Sequence, residues 1–199
     1  MSLSDPDVTL EFAVFLSQFP QLLMIAAPAF GDTPIRDPRL FGGAYYVPPS
    51  EDFSRPGTVY YAPSSSKTYA LFSEITTAYH EGFPGHHLQC GLQVYFRENL
   101  SRHHRLLVCC SGYAEGWALY AEQLVDEIGM YKDQPFWQVG YLQALNFRAV
   151  RLVVDTGLHA KKWTRQQAID YMVANTGRAK GAVTSEIDRY CASPGQACG

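Results

Sequence analysis

The sequence lacks paired cysteines and any concentration of charge. Its five cysteines include the direct neighbours Cys109 and Cys110 and show no Cys-x-x-Cys spacing, which argues against a disulfide framework, a zinc knuckle and a thioredoxin-type redox motif. We expect these cysteines to be reduced and mostly buried. The net charge of -3 and the scattered basic residues give no basic surface of the kind that binds nucleic acid.

The sequence also lacks an uninterrupted apolar segment long enough to cross a membrane. Its most apolar stretch, residues 12–30, contains Gln18, Pro20, Gln21 and Pro28, whereas a membrane helix needs about 20 consecutive apolar residues. We therefore predict a buried segment and no membrane span. No signal peptide opens the chain, and the sequence leaves the compartment unknown, with cytoplasm and export of a longer protein both open.

Proline and helical periodicity are unevenly distributed along the chain, and together they predict a mainly α fold. Residues 1–70 hold most of the prolines, which exclude long helices there. The aromatic stretches 43–47 and 58–62 predict two strands of a hairpin or small sheet at the edge of a cleft. From Tyr69 onward, apolar periodicity predicts helices at 72–82, 86–99, 112–128, 135–156 and 164–175. We expect the Pro-rich segment 1–70 to pack on the helical region 71–199 as one domain.

Capping signals appear near the C-terminal end. Thr164 and Gln167 have the spacing of a capping box, and Gly177 is suited to end the helix that they begin. Ser193-Pro194 has the signature of a further helix start. Because Met1-Ser2-Leu3 also resembles an expression leader, we expect the chain to be an excerpt of a longer protein. Its truncated surface would then favour self-association and weaken activity.

The segment 80–87 concentrates the residues that carry chemistry, His-Glu-Gly-Phe-Pro-Gly-His-His. The zincin motif His-Glu-x-x-His places two imidazoles on one helix face, so that both reach one zinc ion while the glutamate faces its water. In this sequence Pro84 occupies the position of the second histidine. Proline cannot bind a metal, so the second ligand must come from elsewhere.

A break in the helix can supply that second ligand. On an ideal helix His86 lies at about 240° and about 9 Å from His80, on the wrong side, and His87 is nearly in phase but about 10.5 Å along the axis. Pro84 disrupts a helix and Gly85 permits almost any backbone angle. If these two residues form a bulge, His86 returns to the position that the zincin motif requires.

The segment 112–122 offers the third ligand, as in the His-His-Glu set of gluzincins. Glu115 and Glu122 are seven residues apart and therefore lie on one helix face. Glu115 stands among small residues that allow close approach of a neighbouring helix, and we favour it as the ligand. Glu122 is the candidate for orienting a ligand imidazole.

These motifs bring a family resemblance into view. From about Leu40 to Gly199 the chain resembles the C-terminal half of the bacterial domain-of-unknown-function 885 family (DUF885), whose members look like distant gluzincin relatives. The matching stretches are 80–87, 115–122, 151–159, 163–169 and 189–197. The resemblance implies a mainly helical zinc peptidase-like fold, with His80, His86 and Glu115 as ligands of Zn2+. The N-terminal helical region of that family is largely missing here, as is its continuation after residue 199.

The expected activity is hydrolysis of a peptide substrate, with Glu81 taking the proton of a zinc-activated water. His159 and Tyr190 lie in matched stretches and are candidate oxyanion donors, although a helix-end histidine and a packed tyrosine would look the same. Arg189 is a candidate for binding a substrate carboxylate. His87 is a candidate for orienting the ligand side chains without binding the metal itself.

Two other functions remain open at this stage. One is a non-catalytic protein with a structural metal site, although such sites usually have four protein ligands. The other is a metal-dependent hydrolase of non-peptide amides or esters. Metal analysis distinguishes the first from a peptidase, and a hydrolysis screen distinguishes the second.

Overall fold

The computed structural model of the 199-residue chain describes residues 29–32, 44–61, 71–106 and 110–198. The chain divides into two compact units, Met1–Gln138 and Val139–Gly199. The boundary at residue 70 that the sequence suggests therefore falls inside the first unit. Among the described residues, no helix is both long and apolar enough to cross a membrane.

The first unit combines a small sheet with helices that follow it in the chain. Its described elements are β1 (Ala29–Asp32), β2 (Ala44–Val47), β3 (Thr58–Tyr61), α1 (Leu71–Glu81), α2 (His86–Tyr95), a 3-10 turn (Arg97–Asn99), α3 (Arg102–Leu106) and α4 (Ser111–Glu127). Helix α1 packs along α4, while α2 also contacts α4, and β2 lies against α1. The mainly helical fold with a small N-terminal sheet is confirmed.

The sheet has the strand order β1-β3-β2, with β1 parallel and β2 antiparallel to β3. The antiparallel pair is the one that the aromatic stretches predict, and Tyr45 stacks on its cross-strand partner Tyr60 with ring centroids 5.2 Å apart. The sequence analysis missed β1, because its residues Ala-Phe-Gly-Asp are mostly poor strand formers and the strand exists through its pairing with β3.

The second unit is a helical cluster built on α5 (Pro135–His159), which begins in the first unit and continues into the second. It is followed by α6 (Arg165–Thr176), α7 (Lys180–Ala192) and a 3-10 turn (Gln196–Cys198). The predicted capping box of Thr164 and Gln167 is present, and Gly177 ends α6 in the left-handed conformation with φ 66°. Its core residues are Val150, Val154, Ala168, Ile169, Met172, Val183, Ile187, Tyr190 and Ala197.

Three local predictions need correction. Ser193 lies at the C-cap of α7, and the described residues after it form a short 3-10 turn in place of an α-helix. Helix α7 was not predicted, since Gly181, Val183 and Thr184 are weak helix formers and packing of its apolar face holds it. The described cysteines form no disulfide, as expected, but Cys110, Cys191 and Cys198 are exposed and Cys90 is only half-buried.

Candidate metal centre

A turn at residues 82–85 separates α1 from α2 and sets the direction of the histidine that follows. Helix α1 ends at Glu81 and α2 begins at His86, since Pro84 has no amide hydrogen to continue the helical ladder. The sequence predicted a disturbed helix here, and the structure shows a full turn with a restarted helix where a two-residue bulge was expected. The Phe83–Pro84 peptide bond is cis.

Only glycine fits at position 85 of this turn. The Gly85 amide donates to the carbonyl of Tyr79 at 3.1 Å. A Cβ atom at this position would lie 1.9 Å from the carbonyl oxygen of His80 and 2.4 Å from that of Tyr79. Backbone atoms cannot move aside as a flexible side chain could, so the turn depends on the missing side chain.

Helix α4 is hydrogen-bonded to the same turn. The Trp117 indole Nε1 donates to the carbonyl oxygen of Pro84 at 2.9 Å and also lies 3.2 Å from that of Gly85. Trp117 is two residues beyond Glu115 on α4. The turn that positions His86 is therefore tied to the helix that carries Glu115.

His80, His86 and Glu115 converge as the sequence predicted. One ligand atom from each lies within 4.8 Å of the others. Glu115 Oε2 is 3.1 Å from His80 Nε2 and 3.8 Å from His86 Nε2, and the two imidazole rings meet edge to face with centroids 4.8 Å apart. The end of α1, the start of α2 and the first turns of α4 thus contribute one residue each to a single cluster.

A second set of side chains fixes the orientation of both rings. His80 Nδ1 donates to Glu122 Oε1 at 2.7 Å, and the other Glu122 oxygen accepts the Thr76 hydroxyl hydrogen bond. His86 Nδ1 donates to Gln89 Oε1 at 3.1 Å. Because each Nδ1 is engaged, the Nε2 atoms are the ones that face Glu115, as in metal sites whose ligand histidines are held by carboxylates or carbonyls.

The donor set fits zinc. Zinc binds imidazole nitrogen and carboxylate oxygen at about 2.0–2.2 Å, which places neighbouring ligand atoms of a tetrahedral site about 3.3 Å apart. The Glu115 separations of 3.1 and 3.8 Å bracket that value. Hydrogen bonds, chiefly from His80 and secondly from His86, hold the pKa of the Glu115 carboxyl well below its usual range. Glu115 is therefore ionised.

Glu81 shares a cavity with the cluster. The cavity has a volume of about 420 Å³ and is lined by the strand β2, one face of α2 and the start of α4. Its lining residues are Ala44, Tyr45, Tyr46, Pro48, Glu81, His86, Gln89, Cys90, Gln93, Val94, Arg105, Tyr113, Ala114 and Glu115. Glu81 itself is buried. The arrangement places a carboxylate beside the ligand cluster on the wall of a space that can hold a small ligand.

His87 points elsewhere and joins α2 to the sheet. Its Nδ1 is hydrogen-bonded to the Tyr46 hydroxyl at 2.8 Å, and the ring is fully buried. Burial raises the pKa of Tyr46. A Cβ at Gly57 would lie 1.9 Å from the Tyr46 hydroxyl, so this pair also requires a glycine behind it. His87 therefore holds the strand β2 that forms a cavity wall.

The other predicted site residues lie in the second unit, where their polar atoms have partners. His159 Nε2 donates to the Tyr190 carbonyl at 3.0 Å, and the buried Tyr190 hydroxyl donates to Glu186 at 2.7 Å. Arg189 binds Glu186 at 2.8 Å and also Gln196. The roles of His159 and Tyr190 as oxyanion donors and of Arg189 as a carboxylate receptor stay predictions.

Sequence reasoning missed several residues that shape the site. Thr76 lies four residues before His80 and Gln89 three residues after His86, so helical spacing could have suggested both. Trp117 and Arg105 gave no such signal, because their roles depend on contacts between elements that are distant in sequence.

The fold and the cluster together define a mainly helical protein with a His-His-Glu arrangement beside a cavity. Residues 33–199 match the family described as bacterial protein of unknown function (DUF885), and the chain belongs to that family. The predicted DUF885 membership is confirmed. No curated protein matches the chain.

A solved structure gives a second comparison. It is described as the "putative lipoprotein" from Colwellia psychrerythraea and is similar to this chain with a TM-score of 0.79 and 38% sequence identity. The match covers 96% of this chain and 34% of that chain. The chain thus spans about a third of the length of that protein.

Proposed function

We propose that the protein is a zinc-dependent hydrolase of peptide bonds, distantly related to the gluzincin peptidases. The observation that carries the proposal is the convergence of His80, His86 and Glu115 at a cavity that Glu81 also lines. Two histidines and a glutamate are the ligand set of catalytic zinc sites that leave a fourth position open, whereas structural sites are usually closed by four protein ligands.

Each residue of the cluster has a distinct part in the proposed reaction. His80, His86 and Glu115 would hold the zinc ion, which supplies Lewis-acid activation of water and of the peptide carbonyl when bound. Glu81 accepts a proton from the attacking water as the new carbon–oxygen bond forms. It returns that proton to the departing amine as the carbon–nitrogen bond breaks.

The sheet supports a peptide as the substrate. Among the strands that the structure describes, β2 pairs with β3 on one side and is an edge strand, and Ala44, Tyr45 and Tyr46 of this strand line the cavity. An edge strand offers backbone donors and acceptors to an extended peptide, which can add to it as a further strand.

Metal titration followed by a hydrolysis screen tests the proposed function. We expect the chain to bind about one zinc ion, because it offers one set of three converging ligands among its described residues. The bound form should cleave members of a peptide library at neutral pH and should lose that activity with a chelator. Metal analysis by mass spectrometry gives the stoichiometry. Zinc binding without cleavage of any peptide would favour a non-catalytic protein with a structural metal site. Cleavage of esters alone would favour a hydrolase of non-peptide substrates.

We also propose that this chain self-associates through α5. In the second unit this helix exposes Val139, Leu142, Leu145, Leu152 and Val153, each 42–52% accessible. At 100° per residue they fall within an arc of about 140°, which places them on one side of the helix together with the exposed polar Asn146 and Thr156. A second copy of the same helix can cover this side.

Light scattering after size-exclusion chromatography measures this association. We expect a mass above 22.3 kDa that rises with concentration, and we expect Leu142→Glu to shift it towards the monomer. Gln143→Glu adds the same charge at the neighbouring exposed position and should leave the mass unchanged. A wild-type monomer at every concentration would contradict the proposal.

A further inference from the structure

One wall of the cavity runs along α2, away from the candidate metal centre. His86, Gln89, Cys90 and Gln93 of this helix line the cavity, and their spacing places them on one helix face. His86 belongs to the ligand cluster, and Gln93 lies seven residues further, about 10.5 Å along the axis. The cavity therefore has a metal end and a distant end.

Arg105 stands at the distant end. The Gln93 side-chain amide donates to the backbone carbonyl of His104 at 3.2 Å, which ties α3 to this part of α2. Arg105 lines the cavity, and it is the sole lysine or arginine among the lining residues that the structure describes. At the metal end the wall carries two carboxylates, Glu81 and Glu115. Without a metal ion, the charged lining residues of the two ends are thus opposite in sign.

The guanidinium of Arg105 keeps unused hydrogen-bonding capacity. Its Nη1 donates to the Arg97 carbonyl at 3.4 Å and its Nε lies 3.7 Å from the half-exposed Glu51 carboxylate. This buried Nε makes no hydrogen bond with the residues that the structure describes. Arginine has five N–H donors in a planar fork that matches the two oxygens of a carboxylate. A ligand carboxylate in the cavity can satisfy donors that the protein leaves open.

The rise along α2 from His86 to Gln93 gives a scale for how much peptide fits between the two ends. Of about 10.5 Å along α2, a hydrogen bond from the guanidinium takes about 3 Å. The remaining 7 Å or so corresponds to about two residues of extended chain at roughly 3.5 Å each. A carboxylate bound by Arg105 would therefore follow the bond at the metal end by one or two residues.

We infer that Arg105 binds the C-terminal carboxylate of the substrate, so that the protein releases one or two residues from the C-terminus of peptides. The inference rests on the proposed function for the cleavage step, while the carboxylate site itself rests on Arg105 and the cavity. Capture of a terminal carboxylate is a recurring mode of peptide recognition. In the metal-free chain the two carboxylates of the metal end repel a third carboxylate, so a free C-terminus binds at Arg105.

Peptide binding to the metal-free chain tests the carboxylate site without any cleavage. The probes are three fluorescein-labelled tetrapeptides, namely tetra-alanine as the free acid, tetra-alanine as the C-terminal amide, and the amide with glutamate as its last residue. By fluorescence anisotropy we expect the free acid to bind about ten- to a hundredfold more tightly than either amide. Equal affinity of acid and alanine amide would overturn the inference. Equally tight binding of the glutamate amide would also overturn it, because Arg105 would then recognise a side chain.

Matched variants assign the preference to Arg105. Arg105→Gln should remove the difference between acid and amide, while Arg102→Gln on the exposed part of the same helix should retain it. Arg105→Lys keeps the charge but loses the fork, and it should still weaken the acid by about tenfold. Melting curves by circular dichroism verify folding, and Arg105→Lys alone decides if Arg105→Gln does not fold. A full acid preference in a folded Arg105 variant would refute the assignment.

Mass spectrometry of products from the zinc-loaded chain separates this inference from the proposed function. On free-acid decapeptides we expect loss of one or two C-terminal residues. Cleavage at internal bonds with no acid preference would overturn the inference and leave the hydrolase intact. Acid-selective binding without any cleavage would refute both the hydrolase and the release of C-terminal residues. The carboxylate site at Arg105 would then stand by itself.

Discussion

Replacing Glu81 with glutamine should lower peptide hydrolysis by about 10²- to 10⁴-fold, the usual contribution of a general base. Glutamine is nearly the same size as glutamate and fits the same buried position on the cavity wall. It cannot accept the proton of the attacking water. Because Glu81 is not among the three converging ligands, the zinc content of the variant should stay close to that of the wild-type chain.

Kinetic assays and metal analysis on the same preparations distinguish this role from others. Glu74→Gln is a suitable control, since it makes the same change seven residues earlier on α1 and should retain activity. Loss of zinc from the Glu81 variant would make Glu81 a ligand. Unchanged turnover with normal zinc content would exclude it as the base.

The two ligand histidines should differ in what their loss does. Mutating a residue that hydrogen-bonds to a metal ligand usually lowers metal affinity ten- to hundredfold. His80→Ala and His86→Ala remove a ligand itself, so both should lower zinc affinity by more than that, and activity should fall with the zinc content. His80→Ala should in addition destabilise the fold by about 3 kcal/mol. Its imidazole is a hydrogen-bond partner of the fully buried Glu122 carboxylate, and leaving a buried charge short of partners is costly.

Zinc titration and denaturant unfolding of the metal-free variants test this difference. The exposed His103 provides the control, because His103→Ala should change neither quantity. We expect His86→Ala to unfold close to the wild-type denaturant concentration, since His86 bonds the neutral side chain of Gln89. Equal destabilisation by both ligand variants would show that Glu122 does not depend on His80. Retained zinc affinity in either would remove that residue from the ligand set.

The approach of His86 to His80 could be predicted on the condition that the helix breaks between them, whereas Glu115 was chosen from the motif of a separate helix. Pro84 forbids a continuous helix and Gly85 allows the chain to turn, so the histidine after the break was the one able to return. The details of that turn could not be predicted, since they depend on Trp117, which donates to it from another helix.

Elsewhere, the limits of prediction follow from the same distinction between local and distant contacts. The capping box at Thr164 is complete within four residues, and it was found. Strand β1 depends on pairing with β3, about thirty residues away, and was missed. The Ser193-Pro194 pair carries the local signature of a helix start, yet the backbone there ends α7, which shows that a short motif can be overridden by the packing around it.

The side chains that hydrogen-bond to the candidate ligands allow the site to form on folding, before a metal binds. Glu122 orients His80, Gln89 orients His86, and Trp117 fixes the turn between them. Ordering a mobile side chain costs roughly 0.5–1.5 kcal/mol, and here that entropy is lost when the chain folds. In a zinc finger, by contrast, folding and metal binding are one event. If zinc binds as proposed, we expect the chain to exchange the ion while its fold persists, so that its metal occupancy follows the supply of free zinc.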